Sequence, residues 1–139
     1  MIKIYVDAAF HPVTHQAGLA IIFNQDGQQS HYKIHLPEVY DNHQAEFIAL
    51  DQALKILEAE YSLSDTLFFY SDSKLVVQSV EKAYVKDSHY QGYLESILSR
   101  YRLASLAFIQ WLPGKENKGA DGLAKQALHK QGTLTKQRN

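Results

Sequence analysis

Apolar and polar positions alternate through residues 2–7, and β-branched and aromatic side chains at a period of two predict a strand there. The apolar run at residues 17–23 predicts a second, buried strand. An Asp26-Gly27 turn signal separates it from residues 30–36, which alternate again and predict a half-exposed third strand. These segments predict an antiparallel meander at the start of the chain.

Helical and strand periods follow one another in the rest of the chain. Apolar residues at helical spacing predict helices, and short apolar runs predict further strands. The helices are expected over residues 42–60, directly after Asp72, over 90–103 and over 119–130, and the strands over 67–70 and 106–112. The order βββαβααβα, without an internal repeat, predicts one α/β domain. We expect it to cover residues 1–130 and residues 131–139 to be a polar tail with a frayed end.

Composition narrows the class of protein. A length of 139 residues with 45% hydrophobic and 21% charged residues is that of an ordinary globular domain. The absence of cysteine excludes disulfides and thiolate metal sites and fits a cytoplasmic protein. We see no signal peptide and no run that could span a bilayer, so we expect no membrane partner. A net charge of −1 does not indicate a strongly basic nucleic-acid binder, although Lys and Arg are in excess after residue 115.

Acidic residues at the ends of predicted elements are the candidate chemistry. Asp7 and Asp72 end strands, whereas Glu46 and Asp121 lie near helix N-termini. Each one alone is explained equally well as a cap or a surface charge. If the two strands are neighbours and the two helices pack at the same end, the four carboxylates converge. Their mutual repulsion would then raise some pKa values unless cations are present.

A converging set of carboxylates suits magnesium. Mg²⁺ takes oxygen ligands and keeps several waters, so it needs few protein carboxylates. Two such ions can activate a water and stabilise the leaving oxygen in phosphodiester cleavage. The sequence therefore favours a metal-dependent reaction on a phosphodiester.

Histidine and aromatic residues add little to this picture. His11 and His15 are four residues apart in a turn, and His31 and His35 have the same spacing in a strand, so neither pair predicts a zinc site. The loop of His11 and His15 starts close to Asp7, so either could touch a substrate, but a surface position is the simpler interpretation. Trp111 and Tyr93 are most simply core residues.

Four segments surround the candidate acids: Y-V-D-A-A at Asp7, N-H-Q-A-E-F-I-A-L at Glu46, F-Y-S-D-S-K-L-V-V-Q at Asp72, and W-L-P-G-K-E-N-K-G-A-D-G-L-A-K-Q-A-L around Asp121. Together they resemble the type 1 ribonuclease H (ribonuclease HI) family, in the plant- and archaeal-like branch that lacks a basic protrusion. The resemblance extends to about Leu128, and the last two segments are the most specific.

The resemblance implies a ribonuclease H-like fold, with a five-stranded mixed sheet whose first three strands are antiparallel, flanked by helices. It implies a monomeric endonuclease that cuts the RNA strand of RNA–DNA hybrids with two Mg²⁺ or Mn²⁺ ions once substrate is bound. Carried over to this chain, the catalytic and metal-binding acids are Asp7, Glu46, Asp72 and Asp121. The expected substrate contacts are Ala8, Ala9, Asn42, Gln44, Ser73, Lys115 and Asn117.

Departures from the family pattern keep other functions open. Ala8 stands where the family usually has glycine, Val13 where it has asparagine, and Lys115 or Glu116 where many relatives have histidine. One alternative is thus a ribonuclease H-like module that binds nucleic acid or protein with weak or no catalysis. Another is a DNA exonuclease or transposase of the same superfamily. Such exonucleases usually carry D-x-E on the first strand, and Ala9 occupies the Glu position.

Overall fold

The computed structural model of the protein describes residues 1–117, 119–129 and 135–138. Within these residues the strands are β1 (Ile2–Phe10), β2 (Ala17–Gln25), β3 (Gln28–Leu36), β4 (Thr66–Ser71), β5 (Leu106–Trp111) and β6 (Thr135–Arg138). The helices are α1 (Asn42–Glu60), α2 (Lys74–Lys82), α3 (Ser88–Tyr101) and α4 (Ala120–His129), and Gly114–Glu116 forms one 3-10 turn. No helix in this part of the chain combines the length and apolarity that a membrane span requires.

The strands form one mixed sheet in the order β5-β4-β1-β2-β3-β6. β1 pairs antiparallel with β2, and β2 pairs antiparallel with β3. β1 also pairs parallel with β4, which pairs parallel with β5. The predicted five-stranded sheet with three antiparallel strands first is therefore confirmed. The predicted hairpin turn is also present, because Asp26 and Gly27 both have positive φ, as a tight hairpin of this kind requires.

The polar tail differs from its prediction. Thr135–Arg138 pairs antiparallel with β3 and adds a sixth strand at the edge of the sheet, where the sequence predicts a polar tail without a strand. The pairing uses backbone groups of β3 that are otherwise open, and such pairing needs no apolar pattern in the added strand. The rest of the predicted tail, residues 131–134 and 139, lies outside the described residues.

Helices cover the two faces of the sheet unequally. The larger core joins one face to α1, α2 and α3, with Ile4 and Val6 on the strand side. On the opposite face, Tyr5 and Ile22 pack with Ala124 of α4. Gly18 permits this close packing, because an added Cβ would lie 2.7 Å from the carbonyl carbon of Ala127 and overlap other α4 backbone atoms. This packing brings Asp121, in the first turn of α4, close enough to Asp7 and Asp72 for its charge to act on both.

Candidate active site

Asp7 and Asp72 lie side by side where the parallel strands β1 and β4 stop pairing. The last register pair of these strands is Val6 with Ser71, so the two aspartates occupy the next position on neighbouring strands. Asp7 is only 4% exposed. The side chains share one hydrogen bond. Asp7 Oδ2 and Asp72 Oδ1 are also buried, and neither has a hydrogen-bond partner among the described residues.

Burial and repulsion shift the titration of this pair. Burial, then the negative charge of Asp72, raise the pKa of Asp7 from 3.8 to about 8, against the opposing effect of the Ala8 backbone N–H. Burial also raises the pKa of Asp72, and the charge of Asp121 adds to the increase. Asp7 therefore carries the proton of the shared hydrogen bond at neutral pH when no cation is bound. Perturbed, coupled carboxylates of this kind are common in functional sites.

Glu46 approaches the pair from the first turns of α1. Its Oε1 accepts a hydrogen bond from Asn42 Nδ2 at 3.2 Å, and His43 Nδ1 lies 3.8 Å from its Oε2. A hydrogen bond from the Ser73 hydroxyl also reaches this carboxylate. Burial raises the pKa of Glu46, and the charge of Asp72 raises it further. Glu46 is therefore close enough to Asp72 for their charges to interact.

Asp121 is the most exposed of the four acids. It lies in the first turn of α4, with its side chain half exposed, and pairs with Lys125 Nζ at 3.2 Å. Its negative charge nevertheless raises the pKa of both Asp7 and Asp72. The structure thus brings all four predicted acids to one end of the sheet.

The pair Asp7 and Asp72, flanked by Glu46 and Asp121, can accept a hard cation. Within the described parts of the chain, no three acidic or histidine side chains are placed so that they could hold a metal ion by themselves. Mg²⁺, however, is commonly held by one or two carboxylates together with waters and substrate phosphates. The unpartnered oxygens of Asp7 and Asp72, and the repulsion between these groups, are what such a cation would relieve. The residues therefore fit Mg²⁺ or Mn²⁺.

Two of the predicted substrate contacts have internal roles instead. Asn117 is 1% exposed, and its Nδ2 donates to the backbone oxygen of Val6 at 2.9 Å, so the side chain faces the interior and not a substrate. Ser73 is also buried; its Oγ caps α2 by accepting the Val76 N–H and donates to Glu46. Both residues therefore hold site elements in place.

The remaining predicted contacts lie at or near the surface. Asn42 and Lys115 are exposed, and Ala8 and Ala9 are partly buried on β1 beyond Asp7. The Gln44 amide is engaged within the protein, because its Oε1 accepts from Tyr40 N at 2.8 Å and its Nε2 donates to His89 O at 3.4 Å. In this structure, Gln44 ties the start of α1 to α3.

Trp111 and Lys74 form a contact beside Asp72 that the sequence pattern did not reveal. Trp111 is 39% exposed, so its interpretation as a core residue is wrong. Its Nε1 donates to the backbone oxygen of Asp72 at 3.0 Å, and Lys74 Nζ lies 4.7 Å from the centre of its ring. The one signal in the sequence is the position of Trp111 near the end of the predicted strand over residues 106–112, directly before a polar loop. Its register with Ser71 of β4 is visible only in the structure.

The first loop is held by its histidines. His11 Nδ1 accepts hydrogen bonds from Val13 N at 3.2 Å and Thr14 N at 3.3 Å. His15, at a φ of 60°, hydrogen-bonds through its Nδ1 to Val39 O at 3.1 Å, and its own carbonyl accepts from Val39 N at 2.8 Å. The loop after β1 is therefore fastened to the segment that leads into α1 and Glu46.

Comparisons with known proteins agree with this geometry. The sequence profile of the RNase H family matches residues 1–129. A protein of Enterococcus faecalis (strain ATCC 700802 / V583), named "Putative hydrolase EbsB", is 42% identical over 131 residues, which cover 94% of this chain and 96% of that protein.

Solved RNase H1 structures share the fold. RNase H1 of the halophilic archaeon Halobacterium salinarum NRC-1 superposes with a TM-score of 0.81 at 23% identity, covering 91% of this chain and 96% of that one. LC11-RNase H1, in a complex with an RNA/DNA hybrid, superposes with a TM-score of 0.80 at 22% identity, covering 92% and 96%. At these identities the likeness concerns the fold.

Proposed function

Because this chain belongs to the RNase H family, we propose that it is a metal-dependent endonuclease that hydrolyses the RNA strand of RNA–DNA hybrids. The observation that carries the proposal is the adjacent pair Asp7 and Asp72, each with a buried oxygen that has no partner among the described residues, where the parallel pairing of β1 and β4 ends. Glu46 and Asp121 flank the pair within range of its charge. A structurally similar RNase H1 is bound to an RNA/DNA hybrid, which supports the choice of substrate.

The four acids have distinct places in this proposal. Asp7 and Asp72 would hold divalent cations through their open oxygens, and Glu46 and Asp121 would complete the ligand set on either side. When bound, Mg²⁺ or Mn²⁺ would supply positive charge for the scissile phosphate and lower the pKa of a bound water. Asp7 would have to lose its proton to hold a cation, because a metal ligand must be deprotonated.

Neighbouring groups orient the acids and offer contacts to the substrate. Asn42 and Ser73 fix the Glu46 carboxylate from two sides. Lys74, two residues after Asp72, and Lys115, which follows Gly114, are exposed cations that can meet the phosphates of an incoming strand. A Cβ added to Gly114 would lie 3.2 Å from Asp72 Oδ2, so the backbone before Lys115 passes close to that carboxylate. Asn42 remains exposed as a hydrogen-bond donor at the start of α1.

The wider proposal is a monomer that acts in the cytoplasm with two ions bound once substrate is present. The absence of cysteine supports that location. Two ions are favoured because four carboxylates converge, which is more negative charge than one divalent cation would balance.

A binding module with little catalysis is the second candidate. It is supported by the first loop, where Ala8 and the exposed Val13 replace the residues that the family usually carries. The two candidates differ in what the Asp72 carboxylate is expected to do.

A cleavage assay separates the candidates. A labelled RNA–DNA hybrid is incubated with the protein and Mg²⁺ or Mn²⁺, beside RNA–RNA and DNA–DNA duplexes. We expect the protein to cut the hybrid and neither of the other duplexes. Asp72→Asn should lower the cleavage rate by at least roughly 100-fold, which is more than the 10- to 100-fold loss typical of groups that only support a metal ligand. Asp26→Asn is the matched control, because it removes a carboxylate from the β2–β3 turn, where asparagine also tolerates a positive φ.

Absence of cutting by the folded wild-type protein with either ion would favour the binding module, provided that the hybrid still binds. Cutting that persists unchanged in Asp72→Asn would refute the assignment of the acids.

A further inference from the structure

Residues 111–117, from the end of β5 to the loop before α4, form hydrogen bonds with β1 and with the end of β4, the two strands beside the aspartate pair. At β4, Leu112 N donates to Ser71 O at 2.9 Å, and Trp111 Nε1 donates to Asp72 O at 3.0 Å. At β1, Asn117 Nδ2 donates to Val6 O at 2.9 Å, across a sequence separation of 111 residues.

The backbone of Asn117 fastens the start of α4 at the same point. Its carbonyl accepts a hydrogen bond from Ala120 N at 2.9 Å, and its own N–H donates to Gly114 O at 3.1 Å. Val6 immediately precedes Asp7, and Ala120 immediately precedes Asp121. Asn117 therefore bridges the residues next to two of the four acids.

We propose that Asn117 is a positioning residue of the divalent-cation site, setting Asp7 relative to Asp121. The inference rests on the proposed function and concerns the same site. Asn117 cannot act by touching substrate in this structure, because its side chain is buried. Asn117 acts indirectly, because its hydrogen bonds hold Val6 and Ala120. The positions of these two residues determine where the carboxylates of Asp7 and Asp121 lie when a cation binds.

Only the donor end of the amide has a partner among the described residues. Asn117 Oδ1 is buried and accepts no hydrogen bond there. Asn117→Leu, which has nearly the same shape, therefore removes the bond to Val6 and breaks no other side-chain bond. Asn117→Ala removes the bond and also leaves a cavity. If positioning is the role, the two variants share one defect in cation binding despite different packing.

Trp111 supplies a readout that does not require catalysis. It is the only tryptophan of the chain, and its indole is hydrogen-bonded to the backbone of Asp72. We would titrate the protein with Mn²⁺ alone, following Trp111 fluorescence, and measure thermal unfolding of each variant with and without Mn²⁺. The control is Ser96→Ala, which removes a hydroxyl that donates to Asp51 between α3 and α1, away from the four acids.

We expect both Asn117 variants to bind Mn²⁺ about 10-fold more weakly, the lower end of the range for residues that support metal ligands. Ser96→Ala is expected to lose stability and keep the wild-type affinity. Equal affinity in wild type and Asn117→Leu would overturn the inference and leave the proposed function standing. No response to Mn²⁺ in the wild-type protein would also overturn the inference, because Asn117 could not position a cation site that takes no cation in the free protein. The proposed function is tested separately, by cleavage of the hybrid.

Discussion

Asp7 and Asp72 share a hydrogen bond across two parallel strands, while each keeps one buried oxygen without a partner among the described residues. A pair of this kind is a source of instability when no cation is present, because two carboxyl groups compete for one proton in a desolvated place. The same feature makes it a candidate ligand pair. Its behaviour with and without metal can be measured independently of any activity.

The first prediction concerns stability against pH in the absence of metal. The pKa of Asp7 in the folded protein is about 8, above its value of 3.8 as a free side chain. Folding therefore favours the protonated form, and this contribution is complete below about pH 4 and is lost as the pH rises through 8. In EDTA, the free energy of unfolding should fall more steeply between these limits in wild type than in Asp7→Asn.

Urea denaturation at several pH values checks this expectation. At pH 8, Asp7→Asn should be the more stable protein, because its amide can donate to Asp72 without ionising. Asp26→Asn serves as the control and should follow the wild-type slope. If the free energy of unfolding changes with pH in the same way in wild type and Asp7→Asn, ionisation of Asp7 does not destabilise the folded protein.

The second prediction is that divalent cations stabilise the folded chain. Mg²⁺ at about 100 times its dissociation constant should add about 2.7 kcal/mol to the free energy of unfolding, if it binds only the folded state. That corresponds to a rise of several degrees in the melting temperature. Asp72→Asn should lose most of this rise. A thermal melt with Mg²⁺ and with EDTA measures it, and an equal rise in Asp72→Asn would place the cation elsewhere.

The third prediction concerns the packing of α4, which carries Asp121. Gly18→Ala places a Cβ against the backbone of α4, which cannot move aside as a flexible side chain can. We expect the free energy of unfolding to fall by about 1–3 kcal/mol or more, as at other overpacked sites. Denaturant unfolding measures the change.

Gly92→Ala is the matched comparison for Gly18→Ala. Gly92 lies within α3, and a Cβ added there meets no atom within 4 Å. Alanine should therefore stabilise the helix by about 0.5–1 kcal/mol relative to glycine. A small, similar effect of both substitutions would mean that α4 does not pack on β2 as closely as the structure has it.

The fourth prediction concerns the first loop. Because His11 Nδ1 accepts two backbone N–H groups, His11→Ala leaves both without that partner and should cost about 1 kcal/mol. His11→Asn should recover much of that loss, because an asparagine oxygen can accept the same N–H groups in an Asx turn. Thermal or urea unfolding of the two variants tests this, and equal losses would show that the acceptor has no role in the loop.

Much of the site could be predicted because its acids are marked by local patterns. Asp7 ends a run of alternating residues, and the start of α1 at Asn42 follows an Asp41 cap that can be recognised from sequence. The predicted helix over residues 42–60 has the same limits in the structure. The end of β4 and the starts of α1 and α4 are properties of short segments, so the places of Glu46, Asp72 and Asp121 followed from the chain itself. The predicted end of the first strand at Asp7 is wrong, because β1 continues to Phe10.

Other features depend on packing between distant segments. The polar stretch Thr135–Arg138 has no apolar alternation, and only the open edge of β3 makes it a strand. The sequence predicts that Asn117 contacts substrate, but in the fold its side chain is buried and donates to the backbone of β1. The sequence also predicts that Trp111 is a core residue, but the fold leaves it partly exposed.

The sequence by itself thus determined the order of elements as far as α4 and the positions of Glu46, Asp72 and Asp121 relative to their elements, because these follow from local periodicity and capping. Only the tertiary structure decided that Asp7 and Asp72 stand on neighbouring strands, and that Asn117 joins Val6 to the start of α4. Those relationships depend on strand order and on hydrogen bonds between residues far apart in the chain. No local pattern encodes them, since burial of a polar group is favourable only when its partner arrives from elsewhere.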